Sequence, residues 1–485
     1  MKKTLVILST FIITVIFSTS IYAQNENDAL RYSLINYVGT ARFSALSGAY
    51  GAVGADFSSL SQNPAGIGLY RKSEFSITPM VSSNNTTSIF QSQSNFDNAT
   101  RMYLGNVGYV YSKNMNGHAG ALVQMQFGFG VNMMSSFNNR MVLSGFNDQN
   151  SLLTTYVDQV NASGAPLSEW DNYGAGLAYD VDLIFDDKTN NRWAADMEAG
   201  NIQQTKSVET WGSTNETVLS AGANVSDKLF LGITFAFPFI RYHEQSILTE
   251  KDSKNLNSTF NSFDRYEYLD TKGAGFNFKA GFIYMPVEYL RFGGSVHTPT
   301  NYYNMSDTYS ATMTSNFDGG SGLTGSTKNS PPGYFDYELH TPFRATGSVA
   351  FILGKYGLIS ADYEYIDYST ASLRSSSYSF STENNTIRTD FTTANNLRVG
   401  AEFRAGIAAL RGGYNFYGTP YRASGSDGSR NGYSFGIGIR DKGYFADFSY
   451  NHSSSDAYYY LYNTAPPSFN TIKTNAYSLT VGFRF

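Results

Sequence analysis

Along most of this chain, apolar and polar residues alternate with period two. Leu229, Leu231, Ile233, Phe235, Phe237 and Phe239 form one such run, and Phe276, Phe278, Ala280, Phe282 and Tyr284 another. Others are Ala121/Val123/Met125/Phe127/Phe129/Val131, Phe343/Ala345/Gly347/Val349/Phe351/Leu353, Tyr433/Phe435/Ile437/Ile439 and Ala446/Phe448/Tyr450. Side chains of a strand point alternately to its two faces, so each run predicts a β-strand with one apolar face. The stretch Asn475 to Phe485 repeats the pattern, with Tyr477, Leu479, Val481, Phe483 and Phe485 on one face and Ser478, Thr480, Gly482 and Arg484 on the other. An aromatic strand of this kind, ending on Phe485, is similar to the C-terminal signal of bacterial outer-membrane barrels. A soluble sandwich can also carry such a strand.

The connections set the topology. Short turns are readable at 113–117, 226–228, 286–288, 354–356, 405–407 and 441–443. Long Ser/Asn/Thr/Gly-rich stretches lie between them, near 82–101, 132–212, 250–262, 313–333, 372–390, 421–430 and 463–472. Short and long connections in strict alternation predict an all-β, transmembrane antiparallel β-barrel of about 14 strands, with the short turns periplasmic and the long loops outside. Two segments depart from the pattern. Residues 132–212 form one long extracellular excursion, in which Leu152, Leu153, Tyr156, Val157 and Val160 fall at helical spacing and predict a short amphipathic helix. Within it, 174–186 fits a strand or a helix. Residues 24–72, rich in Gly, Ala and Ser, predict short helices and turns ahead of a barrel over 73–485.

Lys2 and Lys3 precede an apolar run from Leu5 to Phe17, followed by Ile21-Tyr22-Ala23. This is the layout of a signal peptide over 1–23. The run is shorter than the ~20 residues a spanning helix needs, and Gln24 is not a lipidated cysteine. No later segment is long and apolar enough for a transmembrane helix, so a membrane-embedded chain must be a closed barrel. The mean hydropathy of −0.29 fits one, because alternation hides apolarity. The absence of cysteine excludes disulfides and thiolate metal sites. A net charge of −5 gives no nucleic-acid footprint.

A barrel of fourteen strands is too wide for its own side chains to fill, so it is open or plugged. The candidate plug is Gly39 to Arg71. Gly48, Ala49, Gly51, Ala52, Gly54 and Ala55 allow close packing, and Asn63-Pro64 forces a turn. The Gly48–Gly54 run, Asp56, the segment 57–62 and Asn63-Pro64-Ala65-Gly66 together resemble the N-terminal hatch of the FadL/TodX family. These are outer-membrane transporters of long-chain fatty acids and other hydrophobic compounds. The resemblance implies a fourteen-stranded barrel with its hatch in the lumen, and a hydrophobic ligand caught by the long loops and held against the hatch. It further implies a lateral route out through a kink in the third strand. Gly48, Gly51, Gly54, Asn63, Pro64, Ala65 and Gly66 are then the hatch and gate residues. In the third strand, near 118–131, Gly128 and Gly130 flank Phe129. They mark either that kink or glycines interleaved with aromatics in an ordinary strand. Arg42, Arg71 and Arg101 are candidates for an acyl carboxylate by charge alone.

The five histidines, His118, His243, His297, His340 and His452, show no metal-ligand spacing. Some Bacteroidetes-like members of the family are called haemin receptors, and one axial His suffices for haem, so a haem-binding receptor stands as an alternative. A second is a protein-interaction scaffold like the shuttle of the type 9 secretion system, which shares the fold and plug. No Gly-x-Ser-x-Gly elbow is present, so no lipase is expected. The sequence reading is therefore a monomeric outer-membrane barrel of a Gram-negative bacterium, embedded in lipid and free of cofactor and metal. It passes hydrophobic small molecules passively, since no energy-coupling segment is visible after residue 23.

Overall fold

The computed structural model describes residues 26–115, 121–197, 200–319, 322–423, 428–441 and 443–485. The predicted signal peptide and His118 lie outside these. Fourteen antiparallel strands close into a barrel. They are β1 (Glu74–Phe90), β2 (Gln93–Asn114), β3 (Leu122–Ser136, resumed as Asn139–Asn147), β4 (Ile202–Val225) and β5 (Leu229–Lys251). Then follow β6 (Phe260–Val287), β7 (Leu290–His297, resumed as Asn301–Phe317), β8 (Gly333–His340, resumed as Arg344–Ile352) and β9 (Gly357–Asp367). The circuit ends with β10 (Thr393–Ala405), β11 (Ala408–Tyr417), β12 (Arg430–Asp441), β13 (Tyr444–Tyr460) and β14 (Pro467–Arg484). β14 pairs with β1 from Glu74↔Arg484 to Ile89↔Phe469, so no sheet edge is left at the closure.

The period-two runs face outward. Phe235, Phe237, Phe282, Phe435, Leu479 and Phe483 are all exposed, and together they form a continuous apolar band. A band of that extent is not tolerated in water and marks a lipid-facing wall. No helix of the described residues is long and apolar enough to cross a membrane, so the strands are the membrane-crossing elements.

Above the band the strands run on, and here the structure corrects two sequence expectations. The stretch 82–101 is a hairpin rather than a long loop: from Pro79↔Leu104, β1 and β2 pair without interruption up to Phe90↔Gln93. Its two-residue turn places Gln91 and Ser92 at φ 48° and 63°, the double left-handed geometry that matches strand twist. The excursion is also narrower than 132–212. β3 continues to Asn147 and β4 begins at Ile202. The intervening segment holds α3 (Leu152–Ser163), at the predicted helical spacing, and α4 (Ala175–Asp180). Residues 174–186 thus hold the short helix Ala175–Asp180 and then turn into a small hairpin, Phe185–Asp187 with Arg192–Ala194. Leu152, Leu153, Tyr156 and Val160 pack on Phe90, Leu143, Phe260 and Leu461, capping the outer mouth. The cap is fastened where Glu250 of β5 accepts from Leu152 N at 2.9 Å and Gln204 Nε2 at 2.6 Å, and also from Ser151 Oγ.

Three strands are interrupted. In β7 and β8 the cause is Pro299 and Pro342, which lack the N–H a ladder needs. The two breaks lie side by side, joined by Thr341 N donating to Thr300 O at 3.0 Å. The break in β3, at Phe137-Asn138, contains no proline.

Candidate functional site

Residues 26–70 lie inside the barrel as helix α1 (Glu26–Ser33), the single turn α2 (Ala41–Ala45) and two 3₁₀ turns, Phe57–Ser61 and Pro64–Leu69. Each turn has its own cap, which is why so short a segment folds. Thr40 accepts from Phe43 N at 3.2 Å, Asp56 from Ser58 N at 3.0 Å and Asn63 from Ala65 N at 3.1 Å, with Pro64 at the first helical position. Thr40 Oγ1 donates to Asp56 at 2.7 Å and joins the first two caps. Gly48 and Gly54, at φ 74° and 65°, take backbone conformations that a side chain would strain.

Inward-facing polar groups hold this plug around the circumference. Asp362 of β9 accepts from Tyr50 N at 2.9 Å, Gly51 N at 3.0 Å and Gln62 Nε2 at 2.9 Å. Lys279 of β6 donates to Ser61 O at 3.0 Å while paired with Glu216 at 2.6 Å. Ser295 and His297 of β7 both donate to Gln62 O, at 2.8 and 2.7 Å. Asn63 Nδ2 donates to Gly51 O at 2.6 Å and Phe282 O at 3.2 Å. Arg42 pairs with Glu402 of β10 at 3.0 Å. Arg71, by contrast, forms an exposed pair with Asp227.

Strand glycines make the fit. Gly128 and Gly130 do not mark a kink. They sit, with Phe129 pointing outward between them, in register with both β2 and β4. A Cβ at Gly128 would lie 2.9 Å from Leu60 Cδ1, and one at Gly130 2.6 Å from Phe57 Cζ. Gly108, Gly222 and Gly281 similarly clear Phe57, Ile67 and Asn63, at 2.2, 2.2 and 2.0 Å. Absent side chains thus form a belt into which the plug nests.

The third strand does break, but higher up. The β3–β4 register shifts between Met133 and Ser135, and the strand is interrupted at Phe137-Asn138. β2 pairs with β3 only between Asn106↔Asn132 and Asn114↔Gln124. Residues 93–105 of β2 thus have no ladder partner on that side among the described residues, and the wall carries a seam. It begins at the upper margin of the apolar band, where Met102 and Leu104 face outward. Side chains replace the ladder. Asn138 Nδ2 donates to Ala99 O at 2.9 Å, Arg140 pairs with Asp97 at 3.1 Å, and Arg101 pairs with Glu209 of β4 at 2.6 Å over the Trp211 ring.

Plug and seam touch. Asn36 N donates to Met134 O at the register shift, at 2.9 Å. Tyr32 of α1 meets Phe137 and Tyr242 edge-on at 5.8 and 6.0 Å. Above the plug is a cavity of about 260 Å³ bounded by Tyr37, Ser44 and Ser47 and by inward residues of β1 and β11–β14. Its lining is chiefly Asn, Ser, Thr and Tyr, with Val38, Met80, Ile472 and Ala476 the apolar members, so it is not an apolar tunnel. His452 borders it through its backbone, while its ring stacks on the outward-facing Tyr433 and bonds Asn475. His297 anchors the plug and His243 pairs with Asp270. No described His stands in a flat apolar pocket, and no metal-holding cluster occurs among the described residues. Asp362, Lys279, Glu216 and Asn138 were not singled out from the sequence, because polar residues on the inner face of a barrel strand are the norm.

No family model and no curated protein matches this chain. Solved structures do. The crystal structure of the Pseudomonas putida toluene transporter TodX is similar with a TM-score of 0.56 at 11% identity, covering 93% of this chain and 99% of that one. That of a Pseudomonas aeruginosa FadL homologue is similar with a TM-score of 0.52 at 13% identity, covering 93% and 100%. At these identities the likeness establishes a shared fold.

Proposed function

We propose that this barrel passes hydrophobic small molecules across the outer membrane by passive diffusion, with the plug blocking the straight path and the seam serving as a lateral exit. The observation that carries this reading is the contact between Asn36 and Met134, which couples the plug to the interruption of β3. A shift of the plug that releases this bond loosens the wall at the break, and the β3 segment beyond it, laddered to β4 from Asn139↔Thr210 to Asn147↔Ile202, is held to β2 by side chains alone. The toluene transporter and the FadL homologue that share the fold support the substrate class. Fatty acids are the expected cargo from the hatch resemblance, and Gly48, Gly51, Gly54 and Asn63-Pro64-Ala65-Gly66 are the proposed moving parts.

Native mass spectrometry with lipid extraction, on protein purified from the outer membrane in mild detergent, tests this. A co-purified apolar molecule, lost when residues 39–66 are deleted, is the expected result. A ligand-free barrel carrying a protein partner in stoichiometric amount would favour the scaffold reading instead.

A further inference from the structure

We propose that Arg241 of β5 and Lys272 of β6 bind an anionic lipid through its headgroup phosphate, on the outside of the barrel at the upper margin of the apolar band. The two residues are directly opposite each other in the β5–β6 ladder, and both side chains are exposed. Like charges directly opposite on one sheet face repel, so the pair is a cost to the fold unless an anion lies between them. Ser213 of β4 is opposite Arg241, and the exposed Ser306 of β7 is opposite Lys272. One row across four strands thus presents hydroxyl, guanidinium, ammonium and hydroxyl, all of them donors that suit phosphate oxygens. The carboxylates nearby are taken. Asp270, diagonal to Arg241, is shared by His243 at 2.7 Å and Lys272 at 3.1 Å, and Glu209 pairs with Arg101 at 2.6 Å. Arg241 makes no ion pair among the described residues, which include every position opposite or diagonal to it on β4 and β6.

The height of the row identifies the anion as a lipid's. The next outward positions below it are Phe239 and Ala274, opposite each other in the ladder and exposed in the apolar band. The next row above holds Trp211, stacked on His243 at 5.1 Å, and tryptophan is enriched at the boundary between membrane and water. A row between an apolar wall and an interfacial tryptophan is at headgroup level. Acyl chains lying on Phe237 and Phe239 bring their phosphate to Arg241 within one outward step along β5, about 7 Å. The guanidinium then offers a planar fork to two phosphate oxygens, and the Lys272 ammonium a point charge beside it. A soluble anion would gain only the charge on this open face, whereas a lipid gains the apolar band as well.

The test uses the full-length protein in a neutral detergent and three probes: dioleoyl phosphatidic acid, dioleoyl phosphatidylcholine and glycerol 3-phosphate, with bound molecules counted by native mass spectrometry. Phosphatidic acid should bind about tenfold or more tighter than phosphatidylcholine, the scale of a charge-assisted hydrogen bond. In Arg241→Gln with Lys272→Gln that preference should vanish while the heat-resistant barrel persists, since both side chains are exposed. Lys228→Gln with Lys355→Gln, two exposed positions in short turns at the other end of the barrel, removes the same charge and should leave the preference intact. Equal binding of the two lipids to the unmodified protein overturns the site. So does a preference that survives in the Arg241 and Lys272 variant, or that falls equally in the Lys228 and Lys355 variant. Glycerol 3-phosphate binding as tightly as phosphatidic acid would overturn a lipid as the occupant.

Discussion

Replacing Asp362 by alanine should unseat the plug while leaving the barrel closed. Its carboxylate takes three hydrogen bonds from the plug, at Tyr50 N, Gly51 N and Gln62 Nε2, and lies 4.0 Å from Arg398. All of this is buried. Removing one member of a buried charged network costs about 3–5 kcal/mol, because the partners remain unpaired. The plug is a short segment whose turns are stabilised chiefly by caps and by the wall, so a loss of that size exceeds what its internal contacts supply. The barrel ladders do not involve the Asp362 side chain and should persist. Trypsin reads the difference: Arg42 is buried and protected in the parent, and should be cut in Asp362→Ala without loss of the heat-resistant barrel. Asp362→Asn, which keeps an acceptor but loses the charge, should fall between the two.

Linking the seam should stop passage. The chain has no cysteine, so Arg101→Cys with Glu209→Cys gives two unique thiols facing each other across the gap between β2 and β4. A short bismaleimide joining them holds the wall shut, and hydrophobic uptake should drop to background. Each single-cysteine variant treated alike should retain it. The ion pair itself is no lock. Both partners are about one-third exposed, and a pair of that kind contributes ~0.2–1 kcal/mol. Glu209→Gln should therefore raise the open fraction by up to about fivefold at most. The covalent link thus decides between a seam that opens and a wall that is merely irregular.

The barrel was legible in the sequence wherever its outer face meets lipid, because Phe235, Phe237 and Phe239 contrast with the inward residues between them. Above the apolar band that contrast disappears. Ser83, Asn85 and Thr87 face outward while Ser82, Asn84, Thr86 and Ser88 face inward, so period two leaves no trace, and 82–101 reads as loop. The same loss of contrast hid the upper halves of β3 and β4 inside the excursion at 132–212. Helix α3 was readable because its apolar stripe packs on the mouth. The hatch was legible as a segment, through its small residues and Asn63-Pro64. What glycine does in a strand was not: a kink and a clearance require the same residue, and only the position of Phe57, Leu60 and Ile67 against Gly130 and Gly128 distinguishes them. The seam had no signature either. Phe137-Asn138 carries no proline or glycine, and the break is bridged by Phe137 N donating to Gly212 O and Thr210 Oγ1 donating to Phe137 O. The polar cavity was equally hidden, since its lining alternates like any inner wall.

The most direct test of the central claim is the initial rate of radiolabelled dodecanoate uptake. It is measured in outer-membrane-intact cells lacking their own hydrophobic channels, with and without this protein at verified surface level. Rapid uptake that depends on the protein is the predicted result. A rate equal to that of cells without it, with the barrel folded in the membrane, would contradict the account.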